Sequence, residues 1–419
     1  MEREIKRDYY LQQLIKRKSN GLIKIVTGIK GCGKSFLLHT LFKKHLLENG
    51  VDESHIIEMD FDLFDNMDYR DPKVFYPWAK EQMKDEAKYY FLLDEVQLLE
   101  EFVSVLNGLA DKKNCDVYVT GSNAKFLSRD IATEFGGRGD EVHMFPLSFS
   151  EFMTIYEGNR YDGWNEYVTY GGILLVVLAE TEEQKIAILD NLFKETYIRD
   201  IVKRNKIRNI GEMEALLDVL SSAIGALTNP NKLQNTFKSV NKSKITATTI
   251  TKYIEYLEDA FLIEEASRYD IKGKSYIGTP MKYYFMDMGL RNSRINFRQM
   301  EVTHSMENVI YNELRMRGFS VDVGNINIVE FGKNGKPVKK QLEVDFICNK
   351  GSKKYYIQSA YILGTEEKMK QEIRPFLKIN DSFKKIVITS DTPKPFYTEE
   401  GILFMNIYDF LLLPNSLEL

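Results

Sequence analysis

The period of the apolar positions changes along the chain. Residues 1–20 are basic and amphipathic, with Leu11, Leu14 and Ile15 on one helical face. Gly21-Leu-Ile-Lys-Ile-Val-Thr27 follows, a run rich in β-branched residues that predicts a strand. After a glycine loop, Ser35-Phe-Leu-Leu-His-Thr-Leu-Phe returns to helical spacing. Ile56-Ile-Glu-Met-Asp-Phe61, Tyr89-Tyr-Phe-Leu-Leu93 and Val117-Tyr-Val-Thr120 predict three more strands, with helical stretches between them. Strands alternating with helices imply a parallel sheet of crossover units, so residues 1–150 are expected to form one α/β domain.

Beyond Phe149 the period is mostly helical, over 187–204, 213–227 and 248–259. Two short β-like runs follow, Phe261-Leu-Ile263 and Lys282-Tyr-Tyr-Phe-Met286, around a Gly/Lys turn. Helix, helix and hairpin is the order of a winged helix, which assigns 151–300 to a helical segment with such a module. Residues 301–419 return to mixed α/β, with a helix over 306–317 and strand-like runs Val344-Asp-Phe-Ile347, Tyr355-Tyr-Ile357 and Lys385-Ile-Val-Ile-Thr389.

Composition narrows the class. With 43% hydrophobic and 28% charged residues in 419, the chain is not wholly disordered, and two to four domains are expected. No apolar stretch reaches about 18 residues, so no membrane span is expected. The charged start, Met-Glu-Arg-Glu-Ile-Lys-Arg, is unlike a secretory signal, which makes the cytoplasm the expected location. Cys32, Cys115 and Cys348 are scattered, against a disulfide framework, and the five histidines lack zinc spacing. The net charge of −4 hides basic stretches: 231–295 holds 11 Lys/Arg against 7 Asp/Glu, and 199–208 holds 5 against 1. On a winged helix these would suit phosphate contacts, with Tyr269, Tyr276 and Tyr283 for stacking. A protein-interaction module accounts for them equally well.

Gly28-Ile-Lys-Gly-Cys-Gly-Lys34-Ser35 fits G-x-x-x-x-G-K-[ST] between a predicted strand and a predicted helix. Backbone N–H groups of Gly28, Ile29, Lys30, Gly31, Cys32, Gly33, Lys34, Ser35 and Phe36 are expected to close around phosphates at a helix N-terminus. Lys34 would reach the β- and γ-phosphates of ATP, and the Ser35 hydroxyl would bind Mg²⁺. About 60 residues on, Tyr89-Tyr-Phe-Leu-Leu-Asp94-Glu95 is an apolar strand ending in two carboxylates. There Asp94 would hold the metal through water, and Glu95 would polarise the attacking water. Ser122 or Asn123, after the strand ending at Thr120, could sense the γ-phosphate, position the water, or simply form a turn. Arg138, in Phe135-Gly-Gly-Arg-Gly, suits either a finger supplied to a neighbour's nucleotide or a surface arginine paired with an acid. A finger supplied in trans calls for a homo-oligomer, and a ring is the closed way to build one.

These elements, followed by Met144-Phe-Pro-Leu-Ser-Phe-Ser-Glu-Phe152, resemble a prokaryotic family of AAA-type P-loop ATPases. Tyr170-Gly-Gly172 stands where that family has a tyrosine/glycine-glycine signature, with Ile173-Leu174 replacing the usual Phe-Pro. Tyr197-Ile-Arg-Asp-Ile201 and Lys282-Tyr-Tyr-Phe-Met-Asp287-Met-Gly289 resemble the family's C-terminal domain of unknown function. The resemblance covers nearly the whole chain and implies an ATPase core, a winged helix and a nuclease-like terminal fold. The expected class is therefore α/β: a P-loop NTPase parallel sheet, then a helical and winged-helix segment, then a terminal α/β domain.

Glu307, Asp345 and Tyr356-Ile-Gln358-Ser-Ala360 resemble the PD-(D/E)xK nuclease order. Such enzymes need two carboxylates for Mg²⁺ and a lysine beside them. Here Gln358 replaces the second carboxylate and Ala360 the lysine, while Lys353 and Lys354 lie at the far end of that strand. A degenerate, structural version of the fold is the better reading. The functional expectation is an ATP-hydrolysing AAA-type switch or motor that moves a winged-helix and C-terminal region against DNA or a protein. An ATP-dependent protein with a working terminal nuclease, or a slow-turnover nucleotide-gated binder, is the alternative.

Overall fold

Short strands of buried branched and aromatic residues build the first unit. The computed structural model describes residues 5–121, 135–240, 243–298, 301–331, 334 and 336–419. One unit runs to Pro146 and takes in Asp259–Phe261; the other comprises Leu147–Glu258 and Leu262–Leu419.

In the first unit, β1 (Ile23–Thr27), β2 (Ile56–Asp60), β3 (Tyr89–Asp94), β4 (Cys115–Thr120) and β5 (Gly139–His143) form a sheet of order β2-β3-β4-β1-β5. Every neighbouring pair is parallel. β1, β3 and β4 are buried along their whole length, as in a sheet covered on both faces. Ile23, Ile25, Phe91, Leu93, Val117 and Val119 pack with Phe61, Phe75 and Leu106 into one core. A single lysine breaks the apolar run of β1. Lys24 is fully buried, ion-paired with Asp116 of β4, donates to the Leu22 carbonyl at 2.7 Å, and lies 4.6 Å from the Tyr118 ring centroid. Burial lowers its pKa, while Asp116 opposes that loss.

The second unit begins with helices. Phe149–Met153 starts with a capping box of Ser148 and Glu151. Further helices include Arg160–Tyr170, Glu182–Asn191, Arg199–Asn205, Ile210–Ser222, Pro230–Val240 and Ala247–Asp259. The single helix expected over 187–204 is interrupted, because Leu192–Ile198 is wound more widely, as a π-helix. The hairpin of β6 (Ile263–Asp270) and β7 (Ser275–Phe285) comes next, then helices Met288–Arg294 and Val302–Met316. β8 (Ser320–Phe331), β9 (Pro337–Lys350), β10 (Lys353–Ala360), β11 (Lys384–Thr389), β12 (Phe396–Tyr397) and β13 (Leu403–Asn406) follow.

The boundary expected at residue 300 does not divide this unit. β6 pairs in parallel with β8 through Arg268↔Val323, Tyr269↔Gly324 and Asp270↔Asn325. The hairpin is thus the end of a sheet of order β12-β13-β11-β10-β9-β8-β6-β7. Its strands outrun their apolar residues: the first half of β9 is exposed and only its second half is buried, so hydrophobic period alone underestimates it.

Two of the sequence signatures meet here. Asp287 caps the helix Met288–Arg294 by accepting the Leu290 N–H at 3.1 Å, and its other oxygen accepts the Gly172 N–H at 2.7 Å. A Cβ on Gly289 would lie 2.1 Å from the Tyr170 carbonyl oxygen. Asn292 donates to the Val168 and Thr169 carbonyls at 2.8 and 2.9 Å. Burial pushes the Asp287 carboxyl up to about 6, against the pull of its backbone donors. Gly289→Ala should cost about 1–3 kcal/mol by overpacking. Asp287→Ala should cost about as much by stranding buried N–H groups. Urea denaturation of the two variants checks both, and a loss below about 0.5 kcal/mol in each would mean this junction does not hold the helices.

Candidate functional site

In a parallel sheet every crossover loop after a strand opens on the same edge, and the reversal of strand order makes a crevice there. β1 lies between β4 and β5, and the loop leaving it carries the phosphate motif. Gly28, Gly31 and Gly33 have φ of +139°, +86° and +96°, the region that favours glycine. Gly28 has a second reason to lack a side chain, because a Cβ there would lie 2.1 Å from the Met144 carbonyl oxygen. Lys34 is buried and folded back, donating to the carbonyls of Gly28 at 3.0 Å and Ile29 at 3.3 Å. Ser35 and Phe36 open the following helix, and the Leu37 N–H bonds the Gly33 carbonyl at 2.9 Å.

Asp94 and Glu95 end β3 at this same edge. Asp94 is buried and accepts the Thr120 hydroxyl of β4. That hydroxyl also accepts the Glu95 N–H at 3.1 Å, while Glu95 takes a left-handed φ of +49° and its carboxylate accepts Gln97. Asp60, at the end of β2, stands in register with Asp94. A cavity of about 710 Å³ opens from Ser35 and Asp94 toward Asp60, Tyr69 and Trp78. His39 and Glu58 line its wall; His39 and, outside the cavity lining, Lys43 lie 2.9 and 2.6 Å from the Glu58 carboxylate and hold it below the usual carboxylate range, His39 most strongly. On the β5 side, the Thr27 hydroxyl donates to Glu141 at 2.5 Å and lies 3.0 Å from His143 Nδ1. Burial pushes the Glu141 carboxyl up.

The site's remaining residues separate clearly. Gly28 through Phe36, Asp94 and Glu95 are brought to one edge. Ser122 and Asn123 lie outside the described residues. Arg138 precedes β5, and its carbonyl accepts the Ile23 N–H at the start of β1. It therefore sits a strand length of about 15 Å from the phosphate edge, ion-paired with Asp111 at 2.5 Å. From there it cannot serve the phosphate loop of its own unit. Thr120 was not singled out by sequence, nor was Arg7. Arg7 is buried and donates to the carbonyls of Cys32 at 3.4 Å and Phe145 at 2.6 Å, bracing the loop from outside the motif.

Comparison with known proteins gives the lineage. The model of the family described as an AAA domain matches residues 20–153, and that of a domain of unknown function matches 161–301. An uncharacterized protein of Haemophilus influenzae is 33% identical over 417 residues, covering 97% of this chain and 98% of its own. Another from Methanocaldococcus jannaschii is 28% identical over 391 residues, covering 88% and 82%. The chain belongs to the AAA-type P-loop ATPases with a C-terminal domain of unknown function. Among solved structures, the Aeropyrum pernix Orc1 protein in complex with DNA aligns with a TM-score of 0.31 at 10% identity, over 70% of this chain and 93% of its own.

In the second unit of this AAA-type ATPase, basic residues divide by burial. Arg268, Lys282 and Arg291 are buried and bonded internally, Arg268 to Asn325 at 3.1 Å and Arg291 to the Ser221 carbonyl at 2.8 Å. Lys232, Lys238, Lys244, Lys252, Lys272 and Lys274 are exposed. The basic excess of 231–295 is therefore only partly a surface. Tyr276 is exposed, but Tyr283 is buried with its hydroxyl on Glu265 at 3.1 Å. Among the described residues no helix is long and apolar enough to cross a membrane.

The loop geometry yields a direct test in this AAA-type ATPase. Gly28→Ala both leaves the conformation that Gly28 needs and collides with Met144, so nucleotide affinity should fall about 10- to 100-fold. Titration with a fluorescent ATP analogue measures it, and unchanged affinity would mean the cradle does not form as described.

Proposed function

We propose that the chain binds and hydrolyses Mg-ATP and uses its nucleotide state to move the second unit against DNA or a protein partner. The observation that carries this is the meeting, at one edge of one parallel sheet, of a glycine-built loop with the buried Asp94 and Thr120 and the half-buried Glu95. The donor set fits a hard cation: the Ser35 hydroxyl and the Asp94 carboxylate are the oxygen ligands Mg²⁺ prefers. When bound, Mg²⁺ supplies charge neutralisation at the β- and γ-phosphates. Backbone N–H groups from Gly28 to Phe36 would take phosphate oxygens, and Lys34 would exchange its two carbonyl partners for the β- and γ-phosphates. Glu95 would orient the attacking water. Thr120 is a positioning residue, because it fixes the Asp94 side chain and the Glu95 backbone with one hydroxyl.

Asn123 is assigned from sequence to sensing the γ-phosphate. Arg138 is assigned to a neighbouring subunit's nucleotide, which asks for a homo-oligomer and is best met by a ring. The six exposed lysines of the helical and hairpin region favour a phosphate-bearing partner.

ATP turnover should be measured with the chain alone, with single-stranded DNA and with duplex DNA. Lys34→Ala should lose turnover, and a wild-type rate in that variant would overturn the reading. Glu95→Gln should bind ATP normally and turn over about 10²- to 10⁴-fold more slowly. Arg138→Ala should lose rate only where ATP drives assembly, and a monomeric mass with ATP at micromolar concentration would remove its role. Stimulation by neither DNA favours a protein partner or a slow nucleotide-gated binder.

A further inference from the structure

Outside the phosphate site, the densest buried charge lies in the second unit. Lys282 of β7, Glu307 of the helix Val302–Met316 and Asp345 of β9 are each more than nine-tenths buried. Lys282 Nζ lies 2.9 Å from Glu307 Oε1 and 2.8 Å from the Glu343 carboxylate, also on β9. The Tyr284 hydroxyl donates to the same Glu307 oxygen at 2.6 Å, and His304 Nδ1 lies 3.8 Å from the other. Asp345 accepts the Ser359 N–H at 2.8 Å.

Two carboxylates thus hold one ammonium directly, and Asp345 acts on it at longer range. Burial works against the Lys282 charge, but Glu307, Asp345 and Glu343 outweigh it and hold the pKa above the ordinary lysine value. Burial likewise pushes Glu307 up, yet Lys282, then His304 and Tyr284, outweigh it and hold the carboxyl below the usual carboxylate range. Asp345 moves the other way, raised by burial and by Glu307.

The helix glutamate, the β9 aspartate and position 358 of β10 follow the order of an acidic phosphodiesterase centre. Gln358, however, turns its carbonyl oxygen to the Asp345 N–H at 3.4 Å, and Ala360 is buried with no charge to offer. A lysine does reach Glu307 and Glu343, but it comes from β7 and not from β10.

We propose that Glu307, Glu343 and Asp345 form a cation site whose resident cation is the ammonium of Lys282, so that the second unit holds these carboxylates together without a divalent metal. A backbone phosphodiester could not touch Glu307 or Asp345 at their present burial, so the centre does not cleave nucleic acid. Its latent ligand is a hard divalent ion, Mg²⁺ or Mn²⁺, admitted only when the ammonium is removed.

The test uses the nucleotide-free full chain and Mn²⁺, with bound ion counted by electron paramagnetic resonance and stability followed by thermal melting. Wild type and Asp345→Asn should bind Mn²⁺ equally, and neither should cut labelled single-stranded DNA or RNA. Lys282→Met should melt about 10 °C lower, gain one Mn²⁺ per chain, and recover stability as Mn²⁺ is added. Asp345→Asn in that background should abolish the gain. Asp345-dependent Mn²⁺ binding or cleavage in the wild type overturns the proposal and makes the centre a nuclease with a relocated lysine. A Lys282→Met chain that folds and gains no ion overturns it too, whatever its melting temperature. Should that variant fail to fold, the comparison of wild type with Asp345→Asn decides alone.

Discussion

The first unit depends on the insertion of β4 between β1 and β3. The phosphate loop must leave β1 and the acids must leave β3, and both emerge at one edge only because all the strands run the same way. With β4 between them, the two halves are a strand apart. The same insertion puts Thr120 where it can hold an Asp94 oxygen and the Glu95 N–H together. Lys24 and Asp116, on the same two strands but at their other ends, bind β1 to β4 from within. A mobile acid would be a poor metal ligand, whereas a buried one held by hydroxyl and strand is already oriented.

Much of this was legible in sequence because the motif is local. Gly28 to Ser35 lie side by side in the chain, so glycine spacing and flanking periods suffice to name the loop. Thr120 was not legible. It ends an ordinary strand, and its meaning comes from a partner 26 residues away. Arg7 looked like one more charge on a basic helix, because its acceptor Phe145 is 138 residues distant. The sequence places Arg138 beside a glycine turn, but only the parallel register shows which edge of the sheet it occupies. In the terminal region the nuclease order puts the lysine at 360, and local spacing cannot reveal that β7 brings Lys282 to Glu307 and Glu343.

The second unit is held by polar contacts buried between distant segments. Asp287 and Asn292 tie the end of one helix to the start of another, using glycines at both contact points. Arg291 and Arg268 spend their charge on a backbone carbonyl and an asparagine inside the unit. Net charge counted along the sequence therefore overstates what the surface presents, since a buried guanidinium does not draw a phosphate from solution.

The pairing of β6 with β8 bears on how this chain can be divided. The matched domain of unknown function ends at 301, between the helix Met288–Arg294 and the helix Val302–Met316, while the sheet continues through it. A fragment stopped there would keep β6 and β7 but strip the outer side of β6, baring the backbone groups of Arg268, Tyr269 and Asp270. An open strand edge of that kind seeks another strand, commonly in a second copy. Fragments meant to isolate the ATPase-linked half will tend to self-associate, and an oligomer measured on them reports the cut and not the assembly of the whole chain.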